Sequence, residues 1–157
     1  MGYFADQLML QDIDGYRMLI AAPFRYVLDN GDVVNVAAGF ETDLASVPRL
    51  FWTLLPACGP HNRAAVVHDW LYARRRIETV DGKIRKPRRK ECDWIFLEAL
   101  KDCGVGWVKR NAMWLAVRSP AGAWVWRHGE GAAPADRRPM SERRWRRRHR
   151  ESVDPVA

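Results

Sequence analysis

The stretch Asn62 to Tyr72 (NRAAVVHDWLY) constrains this chain more than any other, because its periodicity fits one kind of local structure. Ala64, Val67, His68 and Leu71 fall at i, i+3, i+4 and i+7, the spacing that puts four side chains on one face of an α-helix. The neighbouring face carries Ala65, Asp69 and Tyr72. A histidine, a carboxylate and a phenol are thus held close together among small and aliphatic residues. Tyr72 follows His68 by four residues, so the two side chains stand one above the other and can share a partner. Apolar surroundings and a nearby carboxylate tune an imidazole for proton transfer. A histidine satisfied inside a core would carry the same pattern. Asn62 reads as the N-cap, and Arg74, Arg75 and Arg76 suit the far end of the helix dipole.

The apolar face of this helix needs a partner, and the chain supplies one downstream. A second helix starts near Pro87, a residue favoured in the first helical turn. Cys92, Ile95, Phe96, Ala99, Leu100 and Cys103 follow a 3.6-residue period, with Asp93 at the edge of that face and Gly104 as the stop. Neither helix has another large partner before Gly104. Packed helices lie about 8–10 Å apart, which brings His68 within reach of Asp93 if both face the contact. A third helix spans Trp107 to Val117, with Val108, Ala112, Leu115 and Ala116 inward. Ser119 to Gly122 closes it, and Ala123 to Trp126 reads as a short edge strand.

Upstream the pattern changes to strands. A β-rich run from Tyr16 to Leu28, broken at Ala22-Pro23, is followed by Asp29-Asn30-Gly31 and Val33 to Val36. Asn-Gly between such runs marks a hairpin, since both residues tolerate positive φ. Two or three antiparallel strands are expected between Arg17 and Glu41. The segment from Gly39 to Pro48 holds Thr42, Asp43 and Ser46, residues whose side chains bind backbone N–H groups in turns and caps. It is either a strand-to-helix turn or a loop that delivers Asp43 or Ser46 to a site. Arg49 to Leu55 reads as a short helix with Phe51 and Trp52 inward. Pro56 to His61 is irregular, and Val80 to Lys83 is a turn in a polar, basic connection.

These elements predict an α+β fold, a small N-terminal antiparallel sheet packed with three helices and followed by a basic C-terminal arm. One globular domain over residues 1–129 and an Arg-rich linker and tail over 130–157 are expected. A chain of 157 residues with 48% hydrophobic content and eight tryptophans has enough apolar surface for a real core. The formal charge of +7 is mostly a property of the tail, where residues 131–157 hold eight arginines against four acids. That tail is a solvated arm, or a contact for nucleic acid or an acidic partner with Trp145 as a stacking platform.

No stretch approaches the roughly 18 apolar residues of a transmembrane segment. The first residues lack the basic-then-apolar layout of a signal peptide. A soluble protein with no export signal of its own is therefore expected. Cys58, Cys92 and Cys103 are odd in number and form no Cys-x-x-Cys zinc motif, and Cys92 and Cys103 suit core-facing helix positions as reduced packing cysteines.

With Phe40, Thr42 to Arg49 (TDLASVPR), Ala64 to Tyr72 (AAVVHDWLY), Asp93 to Phe96 (DWIF) and Ala116 to Arg118 (AVR) in order, the chain resembles a phage and prophage family, domain of unknown function 1353. The resemblance runs over residues 20–126 and implies a bacteriophage or prophage origin, and with it a place in the virion or the host cytoplasm. A second, local resemblance covers residues 57–100. His-Asp-x-x-Tyr on one helix and an aspartate on the next is similar to secreted phospholipases A2, especially the short bacterial ones. That resemblance implies that His68 activates a water, Asp93 orients the imidazole and Tyr72 donates a supporting hydrogen bond. It also implies that Asp69 ligates calcium with backbone carbonyls of a loop whose place Cys58-Gly59-Pro60 takes. Asp43 would add a third carboxylate, favouring a hard divalent cation such as calcium. The chain departs from the pattern where alanine and valine precede His68 in place of cysteines, and where Pro60 removes one loop N–H.

Three functions follow as expectations. The first is a phage structural or assembly protein, tail- or baseplate-associated, whose partners are other phage proteins. The second is a phage-encoded esterase or phospholipase-like hydrolase with a His68–Asp93 dyad, acting on a lipid or other ester. The third is a nucleic-acid-binding accessory protein working through the arginine tail. Ser46 as nucleophile ranks below an activated water, because no Gly-x-Ser-x-Gly elbow surrounds it.

Overall fold

A computed structural model describes residues 1–13, 18–42 and 59–128. Its strands are β1 (Tyr3–Phe4), β2 (Leu10–Asp12), β3 (Met18–Ile20), β4 (Phe24–Val27), β5 (Val33–Val36) and β6 (Glu41–Thr42), followed by helix α1 (His61–Arg74). Then come β7 (Ile77–Glu78), β8 (Ile84–Arg85), α2 (Arg89–Asp102), α3 (Trp107–Arg118) and α4 (Pro120–His128). The strands form two antiparallel sheets, one in the order β1-β4-β5-β7-β8 and one in the order β2-β3-β6. The architecture is α+β, with four helices among the described residues where the sequence suggested three for the middle of the chain.

The period-2 alternation of β4 and β5 sends Phe24, Tyr26, Val34 and Val36 into the core and Arg25 and Asn35 outward. Their register pairs Phe24 with Val36 and Tyr26 with Val34. The connecting turn is a three-residue loop, closed by the Leu28 N–H donating to the Asp32 carbonyl at 2.8 Å. Only Gly31 takes positive φ (+84°) there; Asn30 instead accepts the Asp32 N–H on its side-chain oxygen at 3.0 Å. Phe4 of β1 packs its ring against Phe24 and Tyr26.

The helices lie against this sheet through a continuous apolar core. Val66, Val67 and Leu71 of α1 meet Ile95, Phe96, Ala99 and Leu100 of α2 together with the inward side chains of the strands. The Tyr26 hydroxyl donates to Asp102 Oδ2 at 2.7 Å, tying the centre of the sheet to the end of α2. Between the two helices, Thr79 to Lys83 turns the chain so that β7 and β8 join the larger sheet. Arg85 then binds Asp32 at 2.8 Å and Glu91 at 2.5 Å, locking that hairpin to the β4–β5 turn and to the start of α2.

Several local expectations are corrected. Asn62 lies inside α1; the N-cap is Pro60 and no side chain caps it. The helix ends because Arg75 turns left-handed (φ 49°) and its N–H returns to the Leu71 carbonyl. The polar connection after α1 contains the β7–β8 hairpin. On α3 the inward set is Met113, Ala116 and Val117, while Val108 and Leu115 face solvent. Ser119 caps α3 and Pro120 opens α4, so Ala123 to Trp126 is helical. The short helix at 49–55 and the arm from 130 onward lie outside the described residues.

Candidate functional site

The largest helix–helix contact is α1 against α2, and it is where the polar residues of both helices meet. His68 and Tyr72 lie on one face of α1, four residues apart, and Asp93 lies opposite on α2. The Tyr72 hydroxyl donates to Asp93 Oδ1 at 2.6 Å, and His68 Nε2 lies 3.4 Å from the same oxygen. His68 is 3% exposed and Asp93 2%. The imidazole packs in tilted contact with the Tyr72 ring at 4.1 Å and the Phe96 ring at 4.8 Å between centroids. Trp126 of α4 covers Tyr72 edge-on at 5.0 Å. Arg75 in turn lies over the Trp126 ring and donates to its carbonyl at 2.6 Å.

A buried carboxylate is costly unless charge and hydrogen bonds compensate it. Arg89 supplies the charge, with its Nε 3.8 Å from Asp93 Oδ2 one helical turn away. The same guanidinium donates to the Arg118 carbonyl at 2.9 Å, at the end of α3. Burial, and then the hydrogen bond to Asp93, push the Tyr72 phenol far above its usual range, so it remains a neutral donor at any working pH. With a carboxylate oxygen facing Nε2, the tautomer that satisfies this contact places the proton on Nε2. That leaves the lone pair on Nδ1, which has no hydrogen-bond partner among the described residues.

Asp69, the next residue on α1, points elsewhere. Successive helical residues are rotated by about 100°, and this carries Asp69 away from Asp93 toward β6. There it accepts the Thr42 hydroxyl at 2.5 Å in a buried contact. No three His, Cys, Asp or Glu side chains come together as a metal site among the described residues. Asp43, Ser46, Trp52 and Cys58 lie outside the described residues. Cys92 and Cys103 are free thiols, and burial pushes the Cys92 thiol up to about 12.

The structure thus brings His68, Tyr72 and Asp93 together and separates Asp69 from them. Sequence reasoning missed Arg89, although an arginine four residues before a core-facing aspartate is a signal for a compensated charge. It also missed Trp126, because α4 was read as a strand. Thr42 was noted only as a turn residue.

The chain matches the profile of the family described as protein of unknown function (DUF1353) over residues 18–117. It belongs to that phage-associated family. His68, Tyr72, Arg89 and Asp93 all lie within the matched segment, whereas Trp126 lies beyond it. No curated protein and no solved structure gives a significant match. The phospholipase resemblance therefore rests on the His68–Asp93 geometry and the motif alone.

Proposed function

We propose that this protein is a phage-encoded hydrolase in which His68 activates water for attack on an ester. The observation that carries the reading is the sidedness of the imidazole. One nitrogen is turned onto Asp93, which is itself fixed by Tyr72 and Arg89, and the other keeps its lone pair. Nδ1 takes a proton from a water as the water oxygen bonds to the ester carbonyl carbon. Asp93 stabilises the imidazolium that forms. The proton then passes to the departing alkoxide as the ester C–O bond breaks, giving acid and alcohol. A general base in this position contributes about 10²- to 10⁴-fold.

The test is hydrolysis of short-chain and phospholipid esters by the full chain and by His68→Gln, with thermal unfolding recorded in parallel. Turnover that disappears in a folded His68→Gln protein supports the reading. Equal turnover in both, or none in the wild type over the ester panel, removes it.

One observation favours a second reading. At 2–3% exposure the dyad is as buried as the aliphatic core. In a structural or assembly protein of the phage, a tail or baseplate component for example, the same four residues would act as an internal brace. His68→Gln would then lower the melting temperature with no activity to lose. A nucleic-acid role would rest on the arginine tail, which lies outside the described residues.

A further inference from the structure

Helices α3 and α4 carry Lys109, Arg110, Arg118, Arg127 and His128, and no aspartate or glutamate. The same helices expose large apolar side chains. On the outward face of α3, Val108 is 74% exposed, Trp107 67% and Leu115 62%. Trp114 adjoins them and meets the exposed Trp94 of α2 at 4.8 Å between ring centroids. The Arg118 guanidinium lies 4.5 Å above the Trp114 ring. Residues 107, 114 and 118 share one helical stripe, and 108 and 115 the stripe beside it.

We infer that this face of α3 docks on an anionic phospholipid bilayer. Purely positive charge selects an anionic partner, and the apolar residues choose among anionic partners. Phosphate backbones of nucleic acids reward cations and stacking aromatics, but give nothing to an exposed valine and leucine. A bilayer interface rewards all three. Tryptophan seats its amphipathic ring at headgroup level, aliphatic side chains reach the acyl boundary, and arginine keeps its stem in the apolar layer with its charge on phosphate. Arg110, Trp114 and Arg118, spaced at four residues, alternate these two demands along one line of α3. Docking needs no turnover, so the inference stands apart from the hydrolase reading.

Vesicle flotation of the full chain tests it, using phosphatidylcholine vesicles with and without phosphatidylglycerol. The wild type should float with the anionic vesicles only, with a blue shift in tryptophan emission. Trp107→Ser combined with Leu115→Ser alters only exposed positions and should raise the lipid concentration for half-binding at least tenfold while thermal unfolding is unchanged. Arg110→Gln and Arg118→Gln should each weaken binding about fivefold. His68→Gln should bind like the wild type, which separates this surface from the dyad. Failure of the wild type to float overturns the proposal. So does undiminished binding by the Trp107/Leu115 variant, which would assign the attraction to charge alone. Loss of duplex DNA binding in that variant with vesicle binding intact would overturn it in favour of a nucleic acid.

Discussion

Tyr72 and His68 reach the same oxygen of Asp93, and the phenol is the closer of the two by 0.8 Å, at 2.6 against 3.4 Å. The carboxylate is thus held first by a neutral hydroxyl and only more loosely by the imidazole. Charge-assisted N–H···O bonds are tight at about 2.7–2.9 Å, so the His68 contact has room to shorten. Tyr72→Phe should release that room. The loss of a buried donor costs about 1–3 kcal/mol, read from urea unfolding. In the hydrolase reading, activity should persist in this variant, because the base and its orienting carboxylate both remain. Complete loss of turnover would give the phenol a larger part than support.

Asp93→Asn tests the sidedness of the imidazole directly. An amide nitrogen facing Nε2 would donate to it and drive the proton onto Nδ1, so the lone pair would point the wrong way. Ring ¹⁵N shifts should report protonated Nε2 in the wild type and protonated Nδ1 in the variant. Any esterase activity should fall by up to about 10⁴-fold, the scale of a triad aspartate-to-asparagine change. Unchanged ring shifts would mean that Asp93 does not set the tautomer.

Two groups predict opposite ends of the acid-stability curve. Burial, aided by Lys109, lowers the pKa of His61, so the folded protein binds fewer protons there than the unfolded chain. That contribution is full above about pH 6.5 and is lost as pH falls through the lowered value. Burial works against ionisation of Asp32, but Arg85 and Asn30 outweigh it and lower its pKa. Its contribution is present above about pH 4 and is lost only as pH falls through that lower range. Melting temperatures from pH 3 to 8 should place the His61→Gln difference in the first window and the Asp32→Asn difference in the second. Parallel curves for wild type and His61→Gln would show that His61 does not titrate with folding.

Gly122 is the point where α4 touches α3. A Cβ there would stand 1.8 Å from the Val117 carbonyl oxygen, a backbone atom that cannot turn aside. Gly122→Ala should displace α4, lift Trp126 from Tyr72 and cost about 1–3 kcal/mol. Red-shifted tryptophan emission would accompany the loss. An unchanged spectrum would mean that α4 adjusts without uncovering the tyrosine.

The α1–α2 pairing was legible because α2 carries one apolar face with Asp93 beside it, and the i, i+4 spacing of His68 and Tyr72 puts both on the stripe that meets it, although α1 is buried without a break from Ala64 to Asp69. Helix α3 misled because it is apolar nearly all the way round. Met113 and Leu115 fit equally good stripes, and only the packing against α2 selects the first. Strands β7 and β8 have two residues each, too few for a period to register. The four residues from Ala123 to Trp126 could not separate a period of 2 from one of 3.6. Asp69, read on the face beside His68 and given a calcium role by the resemblance, is carried by the helical rotation to the Thr42 hydroxyl, a contact that no spacing in the sequence announces.

The β7–β8 hairpin stands between the two halves of the dyad in sequence and extends the larger sheet beyond β5. Its tip at Asp81–Gly82 is exposed, and Gly82 (φ +73°) has nothing within 4 Å of where a side chain would begin. Doubling the length of a loop costs only about 0.6 kcal/mol in closure entropy. The phase of α1 against α2 is fixed by strand pairing and the Arg85 ion pairs, upstream and downstream of that tip. An affinity handle, a fluorophore or a protease site could therefore be grafted at Asp81–Gly82, and the chain even cut there, with His68 and Asp93 left in register across the break.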